Sequence, residues 1–202
     1  IEQIYKDESL IGKYSKVWGI KTYNLANLKF NSQYPLTYLH MKRTGRDQAL
    51  ITSKDSLLKF NTNISSKYKA SLGLLYLEDF IEDSKVEDWI KELVNSPKQE
   101  PLTTERFKSY LKTKTTKDID WFFDSYLTNA KQIDYKITRV KSSKDSIYFT
   151  VKNNKSGQRP ISLFMLKDGK VISKQWLTGI GAKKQFTVPN LQADKLVLNY
   201  NK

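Results

Sequence analysis

The sequence predicts an α+β protein, with a helical region over residues 1–130 followed by an all-β sandwich over 131–202. Three observations predict it. Up to about Asn129 the apolar residues recur at helical spacing; from about Ile133 they alternate with polar ones; and an Asp168-Gly169 pair separates two of the alternating runs. With 202 residues, 39% of them apolar, the chain is long enough for one or two small domains with their own cores.

The front of the chain carries the weakest periodicity. Segments around Ile4 to Ile11 and Tyr34 to Lys42 read as helical, and Pro35 suits a first helical turn, where its missing N–H costs nothing. Ser53 to Phe60 reads as a short helix or a structured loop. From Ser65 to Ile81 the apolar residues Tyr68, Leu72, Leu74, Leu75, Tyr76, Leu77, Phe80 and Ile81 cover most of a helix circumference, which predicts a buried helix. Gly73 inside it costs about 1 kcal/mol relative to Ala, so close packing is expected there.

Three amphipathic helices follow. Val86, Trp89, Ile90, Leu93 and Val94 share one face, Ser84 and Glu87 form a capping box ahead of it, and Pro97 lies just beyond its end. Thr103 or Thr104 can cap a helix carrying Phe107, Tyr110 and Leu111. Ile119, Phe122, Phe123, Tyr126 and Leu127 repeat the helical spacing, with Thr115 and Asp118 placed as caps.

Six short strands are expected in the last seventy residues. They begin at Tyr135 and Ile137, then run through Ile147–Phe149–Val151, Ile161–Leu163–Met165, Val171–Ile172, Phe186–Val188 and Leu196–Leu198–Tyr200. Asp-Gly between alternating runs is a strong hairpin signal, because both turn residues tolerate positive φ. Six strands at this spacing predict an immunoglobulin-like sandwich.

Composition narrows the function classes. The chain has no cysteine, which excludes disulfides, thiolate zinc sites and a cysteine nucleophile. No apolar run approaches the roughly 20 residues of a membrane span, and no secretory signal is present. The chain opens on Ile1 rather than Met, so a longer protein is expected. The net charge is +14, concentrated at the rear: Ile133 to Lys202 holds 14 Lys and Arg against 4 Asp and Glu. These lysines are spread singly, as on a solvated sheet face. Arginine is scarce and the aromatic-glycine motif of an RNA-binding sheet is missing, which disfavours nucleic acid as a partner.

The residue inventory offers little chemistry of its own. His40 is the only histidine, and a catalytic zinc needs three protein ligands. There is no Gly-x-Ser-x-Gly turn. Gly179-Ile180-Gly181 is too short for a phosphate loop. Glu78-Asp79 and Glu82-Asp83 read as a solvated helix end.

Three segments in order carry a resemblance. They are the run Tyr68-Lys69-Ala70-Ser71 opening an apolar helix, Asp120-Trp121-Phe122-Phe123-Asp124-Ser125-Tyr126-Leu127, and Ile133-Asp134-Tyr135-Lys136-Ile137 at the start of the strands. Together they resemble the rear of zinc metallopeptidases of the aminopeptidase N (gluzincin) type, in the bacterial subgroup, over roughly Tyr38 to Tyr200. The resemblance implies that residues 1–130 end a thermolysin-like catalytic domain. It also implies a mechanism for the intact protein: zinc held by a His-Glu-x-x-His helix and a downstream Glu, metal-activated water, and a tyrosine donating its hydroxyl to the oxyanion of the tetrahedral intermediate. By position that tyrosine is Tyr68. The family glycine is Ser71 here and the lysine before it is Ala70; a register taken from Tyr76-Leu77-Glu78-Asp79 places the tyrosine position on Lys67 instead. His-Glu-x-x-His does not occur between Ile1 and Lys202. The expectation is therefore a fragment that binds no cofactor, belonging to a zinc aminopeptidase that acts on peptides. The alternative is a non-catalytic binding or scaffold module whose basic sandwich contacts an acidic partner.

Overall fold

The structure, a computed structural model, describes residues 8, 9, 11–14, 16–23, 25–29, 32–62, 66–83, 85–96 and 101–200. It is α+β, with helices followed by two small antiparallel sheets. The chain divides into two compact units, Ile1–Leu75 and Tyr76–Lys202.

In the first unit, short 3-10 turns at Gly12–Tyr14 and Leu25–Asn27 flank α1 (Trp18–Thr22), and a bridge joins Ser9 to Lys29. The segment expected to be helical from Ile4 to Ile11 lies almost wholly outside the described residues. α2 spans Gln33–Arg43, with Pro35 in its first turn. Its end is closed by Thr44, whose N–H and hydroxyl both donate to the His40 carbonyl, at 3.0 and 2.9 Å. Lys54–Ser56 forms a 3-10 turn inside a structured loop. Burial in this unit is thin. Met41 is the only fully buried large apolar side chain among its described residues, while Trp18 is 79% and Tyr23 73% exposed.

α3 spans Ser66–Ile81. Gly73, Leu77, Phe80 and Ile81 are buried, but Leu75 is 60% exposed. The helix is therefore not apolar-buried on all sides: the side carrying Leu75 has no cover.

In the second unit α4 (Val86–Val94) turns Val86 and Leu93 inward and leaves Val94 60% exposed. Ser84 and Pro97 lie outside the described residues. Glu87 forms an i,i+4 ion pair with Lys91 at 2.8 Å. α5 (Thr104–Lys114) is capped by Thr103, whose hydroxyl accepts the Arg106 N–H at 3.1 Å. The expected helix carrying Phe122 and Phe123 is a π-helix, Phe122–Leu127. Its wide turn buries Phe122, Phe123 and Tyr126 together, with the Phe122 and Tyr126 rings stacked at 5.6 Å. Thr115 and Asp118 act just ahead of it, accepting the N–H of Lys117 and Asp120.

All six expected strands form: β1 (Tyr135–Ser142), β2 (Ser146–Asn153), β3 (Ile161–Lys167), β4 (Lys170–Leu177), β5 (Lys183–Pro189) and β6 (Lys195–Leu198). They make two antiparallel sheets, β1-β2-β5 and β4-β3-β6. Asp168 and Gly169 turn β3 into β4 with φ of 49° and 71°, the left-handed pair that a tight hairpin requires. Ile147, Phe149 and Val151 from one sheet and Ile161, Leu163 and Met165 from the other share a single core. The β2–β3 connection is tied down by Asn153. Its Nδ2 donates to the Gly157 carbonyl at 2.7 Å, and its Oδ1 accepts the N–H of Lys155 and Asp134.

Candidate functional site

Tyr68 is the third residue of α3 and is half-buried. Lys67 beside it is exposed. The following Lys69 is only 1% exposed. A helix tolerates a buried ammonium only where its charge is answered, and here the answer is specific. Lys69 Nζ lies 3.0 Å from Asp47 Oδ1 and donates to the Gln48 carbonyl at 2.6 Å. The other Asp47 oxygen meets Lys42 Nζ at 2.5 Å. Gln48 Oε1 accepts from Asn61 Nδ2 at 2.7 Å and from the Leu58 N–H at 2.8 Å. This network fixes loop residues 46–61 against the first turns of α3, which holds the backbone that carries Tyr68. Lys69 is committed to Asp47, so it is a structural cation. Ser71 turns its hydroxyl back to the Lys67 carbonyl at 3.0 Å.

Among the described residues no group of three His, Cys, Asp or Glu could hold a metal ion. His40 is exposed on α2. The described residues therefore do not supply a zinc site.

A second feature lies within the second unit: a cleft of about 540 Å³ whose walls include Phe80, Trp121 and Trp176, with Lys117, Gln158 and Arg159 at its polar side. Tyr76 and Phe80, one helical turn apart on α3, each meet both indoles edge-on, with centroids 5.2–5.8 Å apart. Such edge-to-face contacts suit the ring quadrupoles. The Tyr76 hydroxyl donates to the Pro160 carbonyl at 2.7 Å. Burial pushes this hydroxyl well above the usual tyrosine range, with Tyr135 and Asp79 acting in the same direction and Arg159 against it. The Arg159 guanidinium lies 4.8 Å from the Tyr126 ring centre. The Arg159 backbone is clamped by the Tyr135 hydroxyl, which accepts its N–H at 3.0 Å and donates to its carbonyl at 2.9 Å. Lys117 donates to the Phe80 carbonyl at 2.8 Å and pairs with Glu82 at 2.5 Å. The cleft thus has an aromatic wall and a polar side that carries both signs of charge, with Lys117 and Arg159 beside Asp118.

The sequence brought Trp121 forward as part of a segment and missed Gln158, Arg159 and Trp176. The available signal was Trp176, a large aromatic in an otherwise lysine-rich strand. Tyr68 and the cleft lie in different units.

No protein-family profile and no curated protein matches the sequence. Among solved structures, the chain is similar to the crystal structure of Legionella pneumophila aminopeptidase A in complex with aspartic acid. The TM-score is 0.53 and the identity 16%, over 68% of this chain and 17% of that one. The likeness is one of fold: helices followed by antiparallel sheets, as in part of a bacterial aminopeptidase. This chain spans about a sixth of the length of that protein.

Proposed function

We propose that this chain is the rear portion of a zinc-dependent aminopeptidase of the aminopeptidase N (gluzincin) type, and that the intact protein releases N-terminal residues from peptides. In this reading residues 1–130 end the catalytic domain and residues 131–202 form an immunoglobulin-like sandwich domain. The fold likeness to a bacterial aminopeptidase carries the proposal. The thin core of residues 1–75 supports it. Trp18, Tyr23, Val17, Ile51 and Leu75 are each more than half exposed there, more apolar surface than an isolated unit is expected to leave in water.

The chain's own contribution is Tyr68, whose hydroxyl would donate to the oxyanion as the peptide carbonyl becomes tetrahedral. Such a donor stabilises the transition state and not the ground state, so its loss falls on kcat. The buried Asp47–Lys69 pair supports the role by holding the first turns of α3. The zinc ligands belong to residues outside this chain.

The test uses the full-length protein that contains this chain and an aminoacyl-anilide substrate. We expect chelator-sensitive hydrolysis, and in Tyr68→Phe a loss of kcat on the order of 10²–10³ with KM and zinc content unchanged. Absence of chelator-sensitive hydrolysis overturns the reading. Unchanged kcat in Tyr68→Phe, with loss in Lys67→Met, moves the role to the neighbouring position. The chain alone should bind no stoichiometric zinc.

A further inference from the structure

The outer face of the β1-β2-β5 sheet carries a row of lysines that, among the described residues, have no ion-pair partner. In the strand register Lys136 lies opposite Lys152, and Lys152 lies opposite Lys183. The three form a row across the sheet, about 5 Å from strand to strand. All three are exposed. Like charges directly opposite one another destabilise a sheet, yet the three strands contain no Asp or Glu to offset them. Among the described residues none of the three makes an ion pair or side-chain hydrogen bond. In the other sheet Lys174 is paired with Asp79, and the one like-charge pair, Lys167 opposite Lys170, lies at the hairpin end and is not continued across a third strand.

A bulge adds to the same face. The register of β1 against β2 shifts between Thr138 and Lys141, and Arg139 takes φ of 54°. Without the extra residue, strict alternation would turn Lys141 toward the core. With it, Lys141 lies opposite the exposed Tyr148. A left-handed arginine costs about 1 kcal/mol, and the strain serves to keep a cation outward. Arg139, Lys141 and Tyr148 border a depression of about 260 Å³.

We propose that this face docks on an anionic lipid bilayer, with the lysine row attracting head groups and the depression taking one phosphate. Three features favour a bilayer over a nucleic acid. The cations are mostly lysines, which act as point charges without a bidentate preference. The face has one exposed ring, where a single strand needs a series of stacking platforms. Lipids move laterally, so each closely spaced lysine can take its own head group. Tyr148, with its polar tip and apolar body, suits the interface.

The experiment is co-sedimentation of the chain with phosphatidylcholine vesicles, with and without phosphatidylglycerol. We expect binding only to the anionic vesicles, weakening as salt shortens the screening length to about 8 Å at 0.15 M. The triple variant Lys136→Glu, Lys152→Glu, Lys183→Glu should bind at least on the order of a hundredfold more weakly, at roughly fivefold per lysine lost, before the repulsion of the new carboxylates is added. A control variant, Lys85→Glu, Lys170→Glu, Lys195→Glu, changes the net charge equally at exposed positions off this face. It should bind like the original. Equal loss in both variants, binding to neutral vesicles, no binding at low salt, or tighter binding to a single-stranded oligonucleotide than to the anionic vesicles each overturns the proposal. Unchanged far-ultraviolet circular dichroism in both variants separates lost binding from lost folding.

Discussion

Replacing Gly157 by alanine should destabilise the second unit by more than any exposed glycine substitution would. A Cβ built at this position meets the Gln132 carbonyl oxygen at 2.6 Å, its carbon at 2.9 Å and the Lys131 carbonyl oxygen at 3.1 Å. These are backbone atoms, so no rotamer change relieves the overlap. The same residue donates its N–H to the Gln132 carbonyl at 2.9 Å and accepts from Asn153 Nδ2 at 2.7 Å. Pushing the two segments apart costs about 1–3 kcal/mol as overpacking, and weakening either hydrogen bond adds about 1 kcal/mol. The expected loss is about 2–4 kcal/mol, which for a unit of this size lowers Tm by about 10 °C. Near-ultraviolet circular dichroism reads it, because Trp121 and Trp176 are held in the second unit's aromatic cluster. A melting temperature within about 2 °C of the original would refute the reasoning, since it would mean that residues 131–132 and 157 separate without consequence.

Three further substitutions test other parts of the argument. Gly169→Ala in the β3–β4 turn meets no atom within 4 Å but sits at φ 71°, so only the conformational cost of about 1 kcal/mol is expected in urea melts, clearly less than at Gly157. Asp47→Ala removes the carboxylate that balances the buried Lys69 ammonium, and should cost about 3–5 kcal/mol; Asp47→Ala combined with Lys69→Met should recover most of it by chemical denaturation. Tyr76→Phe should change the alkaline end of the stability profile. The Tyr76 pKa is raised in the folded state, first by burial, so its stabilising contribution is intact below the ordinary tyrosine range near pH 10 and is lost as pH rises above it. Urea midpoints from pH 8 to pH 11 should therefore fall more steeply in the original protein than in Tyr76→Phe.

The strands were legible because alternation and turn chemistry are local. Asp168-Gly169 needs only its own φ angles, and Thr103 caps with its own hydroxyl. The π-helix was not, because the spacing of Ile119, Phe122, Phe123 and Tyr126 fits an ordinary helix face and nothing in it signals the wider turn. The burial of Lys69 was not legible either: it depends on Asp47, 22 residues earlier. The bulge at Arg139 was missed because it breaks period two inside a run that otherwise alternates. Arg159 and Trp176 come from segments with no catalytic spacing, and only the fold brings them to one cleft. Tyr68 was proposed through resemblance alone; it stands half-buried on α3.

The two proposed roles draw on different physical properties and on different units. The oxyanion role requires one hydroxyl held to within a fraction of an ångström, and in the first unit the rigid element is the buried Asp47–Lys69 pair with the Gln48–Asn61 network behind it. The bilayer role requires only a dense, unanswered charge, and the sheet supplies it with the lysines at positions 136, 152 and 183, whose side chains need no fixed geometry. Salt should therefore separate them. Exposed lysines attract through solvent and are screened within a Debye length, whereas a hydrogen bond made in a water-excluded site is not. In the full-length protein, raising salt should release the bilayer and leave the Tyr68-dependent part of kcat in place. If both fell together along one salt curve, the hydroxyl and the lysine row would be serving a single electrostatic event, and the assignment of separate roles would fail.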